Sequence, residues 1–203
     1  MRDLERFHVR RKLRLSTWDY SSPGAYYVTL CTVESGEIFG ILEDGHVRLN
    51  DAGEIVADAW RWLPTRYPYV TLDEWCVMPD HSHAIIVVFD FGVPASRHSV
   101  SSGWTPRVDA GLATHLADTM QTRVVDTGSR DVTTSLCRKD LGGLVGAFKT
   151  VSAKGINRLR NAPGVRVWQR DYWDHIIRDE ADLDRIRRYI RANPENPHRR
   201  GGS

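Results

Sequence analysis

Cysteine is scarce. The chain has three in 203 residues, Cys31, Cys76 and Cys137, far apart and odd in number. Neither a CxxC pair nor a secreted disulfide pattern is present. Cys31 and Cys76 fall inside apolar, strand-like runs and read as small core residues. Long hydrophobic stretches are also missing: nothing approaches the roughly 20 apolar residues that span a bilayer. The opening, MRDLERFHVRRKLRL, has no apolar signal-peptide core. Together these predict an intracellular, cytoplasmic protein with no membrane partner. There is no P-loop motif. Nor is there much net charge, only +2, so total charge argues for no partner. Its distribution says more. Arg10, Arg11, Lys12 and Arg14 cluster near the start, and RIRRYIRANPENPHRR lies at the end. Basic clusters at both ends fit a polyanion, or else a solvated arginine-rich helix face.

What is present is an ordinary globular composition, 41% apolar and 27% charged. The length suits one domain spanning 1–203. AYYVTLCTV, after the turn signal SSPG, reads as a strand. GEIFGILEDGHVRLN reads as a hairpin turning at Asp44-Gly45. Asn50 or Asp51 then caps a helix to about Arg66, with Ile55, Ala59, Trp62 and Leu63 at helical spacing. YVTLDEWCVMP and HSHAIIVVFD read as two antiparallel strands joined around Pro79-Asp80. Residues 91–136 turn polar and lose periodicity, predicting a flexible insertion. A helix follows, with Leu141, Leu144, Val145, Phe148, Val151 and Ile156 on its apolar side. RVWQRDYWDHIIRD is extended, and EADLDRIRRYIRAN is a last helix stopped by Pro194. The order β-α-β-β-α-β predicts an α+β, ferredoxin-like (split βαβ) antiparallel sheet with helices on one face, plus a C-terminal helix.

Side chains alternate along a strand, so His81 and His83 share a face and both can reach one metal ion. They can equally be polar decoration on a strand surface. In the last helix Tyr189 and Asn193 are one turn apart. The amide oxygen of Asn193 suits Mg2+ or Mn2+, and Tyr189 offers a phenol. Two imidazoles, an amide and a phenol point to phosphodiester chemistry more than to zinc hydrolysis, where Cys, His and carboxylate dominate. The structural alternatives are a helix C-cap for Asn193 and packing for Tyr189.

WDYSSPGAYYVTLCT, LDEWCVMPDHSHAIIV and YWDHIIRDEADLDRIRRYIRANP together resemble the REP-associated tyrosine transposases, of the HUH single-strand nuclease and transposase superfamily. The similarity covers most of the chain outside 91–136. It departs in one place: the residue between the histidines is usually hydrophobic in the family, and here it is Ser82. On a strand Ser82 points away from the metal, so the change is expected to alter packing rather than ligation.

The resemblance implies metal-binding roles for His81 and His83 and a nucleophilic role for Tyr189. Asn193 falls where related enzymes place a polar ligand, usually Gln. Tyr172 and Tyr20 are rival tyrosines without the i+4 amide, and His175 is a further candidate near the site. A 5′-phosphotyrosine intermediate with a free 3′-OH is implied, supported by Mg2+ or Mn2+. A phenol with a pKa near ~10 needs activation, and Arg185 and Arg188 lie within one turn of it. The partner is single-stranded or hairpin DNA, with Trp18 and Tyr20 offering base contacts beside the basic N-terminal segment. Bound to DNA, the protein would be nucleoid-associated. Monomer and homodimer are both left open. Alternatives are a non-catalytic nucleic-acid-binding protein on the same fold, a small-substrate phosphoesterase, and a replication-initiator-type nuclease.

Overall fold

Alternating and continuous apolar runs build a four-stranded sheet. In a computed structural model, which describes residues 18–89 and 138–195, the elements follow in this order. Strand β1 is Gly24–Cys31, the hairpin is β2 (Gly40–Glu43) and β3 (His46–Leu49), and helix α1 is Asp51–Arg66. Strands β4 (Val70–Val77) and β5 (His81–Val88) precede helix α2, Leu141–Leu159. Strand β6 (Trp173–Ile177), helix α3 (Glu180–Ala192) and a 3-10 turn, Asn193–Glu195, complete it. The insertion at 91–136, Cys137 and the basic residues Arg10, Arg11, Lys12 and Arg14 lie outside the described residues.

The large sheet has the order β4-β5-β1-β6 and is antiparallel throughout. With the separate β2-β3 hairpin set aside, this is the split βαβ arrangement that the element order predicts. The two central strands, β5 and β1, face packed layers on both sides. All eight residues of β5 are buried, as its near-continuous apolar run requires.

Local chemistry explains the boundaries. Asp44 and Gly45 have φ of 50° and 75°, the positive pair that a two-residue hairpin turn demands. Asn50 caps α1 by accepting from the Gly53 N–H at 3.0 Å. Gly53 is needed there because a Cβ would sit 2.0 Å from the Phe39 carbonyl oxygen. Asp140 and Asp179 cap α2 and α3 in the same way.

One face of the sheet carries α1 and α2. Tyr26, Val28, Leu30, Ala84 and Ile86 point into this core, against Val56, Trp60, Leu63, Leu144 and Phe148. Trp60 and Phe148 stack with centroids 3.8 Å apart. The buried stripe of α1 is Val56, Ala59, Trp60 and Leu63, with Ile55 and Trp62 only part-buried at its margins. Gly155 of α2 lies against Ile55, where a Cβ would stand 2.6 Å away. The α2 stripe is as expected except that Val151 is part-buried. Of the extended run 166–179, only Trp173–Ile177 pairs as a strand; Trp168 makes an isolated bridge to Thr32.

The opposite face carries α3, the additional C-terminal helix. Ala25, Tyr27, Ile85, Val87 and Ile177 meet Leu183, Ile186 and Ile190 there. The amphipathic sequence of α3 supplies this stripe at spacings of three and four. Among the described residues no helix is long and apolar enough to cross a membrane.

Ser82 belongs to the α1 face. Its hydroxyl accepts from the Trp60 indole N–H at 2.9 Å and donates to the Cys76 carbonyl at 2.7 Å. The unusual serine is therefore the partner of a buried indole that would otherwise lack one. Ser82→Ala leaves the Trp60 N–H unsatisfied and is expected to cost about 1–3 kcal/mol. Urea unfolding should show a lower midpoint with an unchanged slope.

Candidate functional site

Strand alternation puts His81 and His83 on the α3 face of β5, with ring centroids 4.7 Å apart and planes at 77°. Both are buried, at 9% and 1% exposure. Each ring commits its Nδ1 to the protein. His81 Nδ1 lies 2.6 Å from Asp80 Oδ1. A carboxylate only accepts, so Nδ1 carries a proton toward Asp80 and Nε2 is the nitrogen left uncommitted. The Asp80 carbonyl is fixed in turn by the N–H and hydroxyl of Thr32, at 3.0 and 2.8 Å.

His83 Nδ1 meets two hydroxyls, Tyr27 Oη at 2.8 Å and Thr29 Oγ1 at 2.9 Å. Thr29 donates its one proton to Tyr27 at 3.2 Å. The two hydroxyls thus anchor the ring at Nδ1. His83 Nε2 is buried with no hydrogen-bond partner. Burial, with His81 beside it, pushes the His83 pKa down to about 3, so the ring is neutral near pH 7. The facing Cys76 thiol is pushed up to about 12 by burial.

Helix α3 brings Tyr189 over this pair within the same chain. Its ring stands edge-on to His83 at 5.5 Å and to Tyr27 at 6.2 Å. The Tyr27 phenol interacts with that of Tyr189, and burial above all raises the Tyr27 pKa. Tyr27 is 6% exposed, whereas Tyr189 is half-buried and is the more accessible phenol. Asn193 is one turn on and buried, with its Nδ2 lacking a partner. It also closes α3 as its C-cap, its N–H donating to the Ile190 carbonyl. No hydrogen bond joins its side chain to either histidine, among the described residues.

The arginines of α3 divide. Arg187 grips Asp73 with two bonds, at 2.8 and 2.6 Å, and Arg191 binds Glu74. Both acids sit where the β4 register slips between Leu72 and Trp75. This bulge lets two consecutive side chains address one helix. Arg185 is tied to Asp182, which also holds His175 Nε2 at 2.7 Å. Arg188 is exposed, and its Nε donates to the Asp184 carbonyl at 3.3 Å.

Other predicted residues lie elsewhere. Tyr20 is 9% exposed in the α1–α2 core against Tyr26, so burial removes it as a base contact. Trp18 is 40% exposed and donates to the Tyr26 hydroxyl at 3.3 Å. Tyr172 packs on the same core beneath the Lys149 ammonium. Sequence reasoning missed Tyr27, Thr29 and Asp80 as partners of the histidines. Alternation does place Tyr27 and Thr29 on one face, but only the cross-strand register brings that face to His83.

The donor set fits a divalent cation. Two imidazoles on one face, each anchored at Nδ1 by a carboxylate or hydroxyls with Nε2 uncommitted, are what metal-binding histidines require. Among the described residues no group of three or more His, Cys, Asp or Glu converges. A cation here would take its remaining ligands from oxygens such as the Asn193 amide and a substrate phosphate.

The site thus sits on the α3 face of an α+β antiparallel sheet, beneath that helix. No family model matches the sequence. An uncharacterised protein of Haemophilus influenzae is 29% identical over 187 residues, covering 92% of this chain and 89% of its own. A solved structure of a REP-associated tyrosine transposase bound to a REP hairpin covers 91% of this chain and 74% of its own, at 13% identity and a TM-score of 0.48.

The latch on α3 is testable. Burial pushes the Asp73 carboxyl up, but the Arg187 hydrogen bonds, the Glu74 N–H and the charges of Arg187 and Arg191 together outweigh it and hold its pKa below the usual 3.8. A depressed carboxyl stabilises the fold above its unfolded pKa and loses that contribution as pH falls through the folded value. Arg187→Ala is expected to cost about 2 kcal/mol near pH 7. Its difference from wild type should shrink below pH 3.8 in acid unfolding followed by circular dichroism.

Proposed function

We propose that the protein is a metal-dependent single-stranded DNA nicking and joining enzyme, transposase-like, acting at hairpin DNA such as REP-like palindromes. The observation that supports this most is the position of Tyr189, edge-on to His83 in the same chain at 5.5 Å. A nucleophile and a pair of metal-ready imidazoles share one small site, and the exposed guanidinium of Arg188 neighbours that tyrosine in sequence.

His81 and His83 would hold Mg2+ or Mn2+ through Nε2, with Asn193 as the oxygen ligand, and the ion would lend Lewis-acid charge to the scissile phosphate. Asp80 and the Tyr27–Thr29 hydroxyl pair keep the two imidazoles in the required tautomer and orientation. The Tyr189 oxygen attacks phosphorus in line. The Tyr189 O–P bond forms and the bond to the 3′-oxygen breaks. The phenol loses its proton and the departing 3′-oxygen gains one, leaving a 5′-phosphotyrosine and a free 3′-OH. Attack by a second strand's 3′-OH on the same phosphorus reverses these steps, so joining needs no nucleotide cofactor. Tyr27, neutral and buried, orients the tyrosine that reacts and does not itself react. Arg185 is already engaged by Asp182, which leaves Arg188 as the freer phosphate contact on α3.

A hairpin oligonucleotide with single-stranded flanks, incubated with Mn2+ or Mg2+, should give a covalent protein–DNA adduct on a denaturing gel. Tyr189→Phe should bind the oligonucleotide and give no adduct. An adduct from Tyr189→Phe would remove the nucleophile assignment, and binding without an adduct from wild type would make the protein a non-catalytic DNA binder. Asp80→Asn is expected to lower cleavage or metal affinity by about 10–100-fold, because it frees the His81 ring from its anchor. Unchanged metal dependence in that variant would count against His81 as a ligand.

A further inference from the structure

Cross-strand register sets one row of residues across the α3 face. His83 on β5 pairs with Thr29 on β1, and Thr29 pairs in turn with Trp173 on β6. Trp173 is therefore two strands from His83, about 10 Å at the usual strand spacing. The rings form a continuous path: Tyr27 stacks on His83 at 5.6 Å and meets Trp173 edge-on at 5.3 Å. At the end of that path Trp173 is 41% exposed, on the edge strand of the sheet.

This indole is held in place. His175, two residues along, lies parallel to it at 4° with centroids 5.9 Å apart, and Asp182 fixes the His175 ring at 2.7 Å. The chain entering β6 is fastened by the Lys149 ammonium, which donates to the carbonyls of Gln169, Arg170 and Asp171 at 2.8, 3.3 and 3.2 Å. A flat aromatic surface that is exposed, pre-oriented and next to a phosphodiester site suits a nucleobase, since every base has a face to stack.

We propose that Trp173, backed by His175, is the stacking platform for one unpaired base of the strand on which Tyr189 acts. This rests on the nicking-enzyme reading above and deepens it by assigning a base-binding position. A row about 10 Å long reaches about three nucleotides from the scissile phosphate at a duplex-like rise, and fewer if the strand is extended.

The test uses the hairpin oligonucleotide with single-stranded flanks and a series of single abasic replacements around its cleavage position. Trp173→Ala should weaken binding about 10-fold, while Trp173→Phe should retain most of it. One abasic replacement, within three nucleotides of the cleavage position, should weaken wild type equally and cost Trp173→Ala nothing further. Urea midpoints matching wild type show that the exposed position is replaced without unfolding. The proposal is overturned if Trp173→Ala binds as wild type, or if its loss adds fully to that of every abasic replacement. A wild-type adduct without this coupling sinks the platform alone. Coupling without an adduct keeps the platform and sinks the nicking reading, and wild type that binds no DNA sinks both.

Discussion

The pairing of β1 with β5 decides what both faces of this molecule are. Thr29 opposite His83 and Cys31 opposite His81 set the register. Side chains repeat every two residues, so a slip of one would turn both histidines into the α1–α2 core and deliver Ser82 to the other side. The slip is prevented from beneath: Ser82 must meet the Trp60 indole, and Ala84 and Ile86 must meet the same apolar layer. The hydrophobic core on one side thereby positions the polar groups on the other. Tyr27, Thr29, His83, Trp173 and Tyr189 depend on that arrangement.

Two indoles use the same solution. Trp60 donates to Ser82 and Trp168 donates to Ser152, each at 2.9 Å and each in buried surroundings. A tryptophan fills more of a core than any other residue but brings one N–H that must be met. A small hydroxyl meets it without displacing a neighbour. The serine between the histidines is thus explained by a helix 22 residues earlier rather than by the chemistry beside it.

Much of this was legible in the sequence because the signals are local. Asp44-Gly45 specifies its turn, Asn50 its helix start, and the i, i+2 spacing of His81 and His83 their common face. The ferredoxin-like order also follows from the run of elements. What could not be read depends on residues far apart in the chain. His83 and Tyr27 are 56 positions apart, and Arg187 and Asp73 are 114 apart. Charge near Tyr189 reads as one arginine-rich group, yet two of its members are held by acids of β4 and two by groups of α3 itself. Tyr20 and Trp18 look alike as loop aromatics; a neighbouring tyrosine ring buries one and not the other. The close approach of α2 to Ile55 likewise depends on Gly155, 100 positions further on.

The bulge in β4 has a consequence beyond holding a helix. It works as a count. One extra residue lets Asp73 and Glu74 face α3 together, and these two acids are the anchorage points of the helix that carries Tyr189. Deleting either would restore strict alternation and leave a single anchorage. The Tyr189 phenol is therefore aimed by the number of residues in β4. Length variation at this outer strand is penalised as a misalignment of the site, while the substitutions it tolerates are those that keep two carboxylates in step.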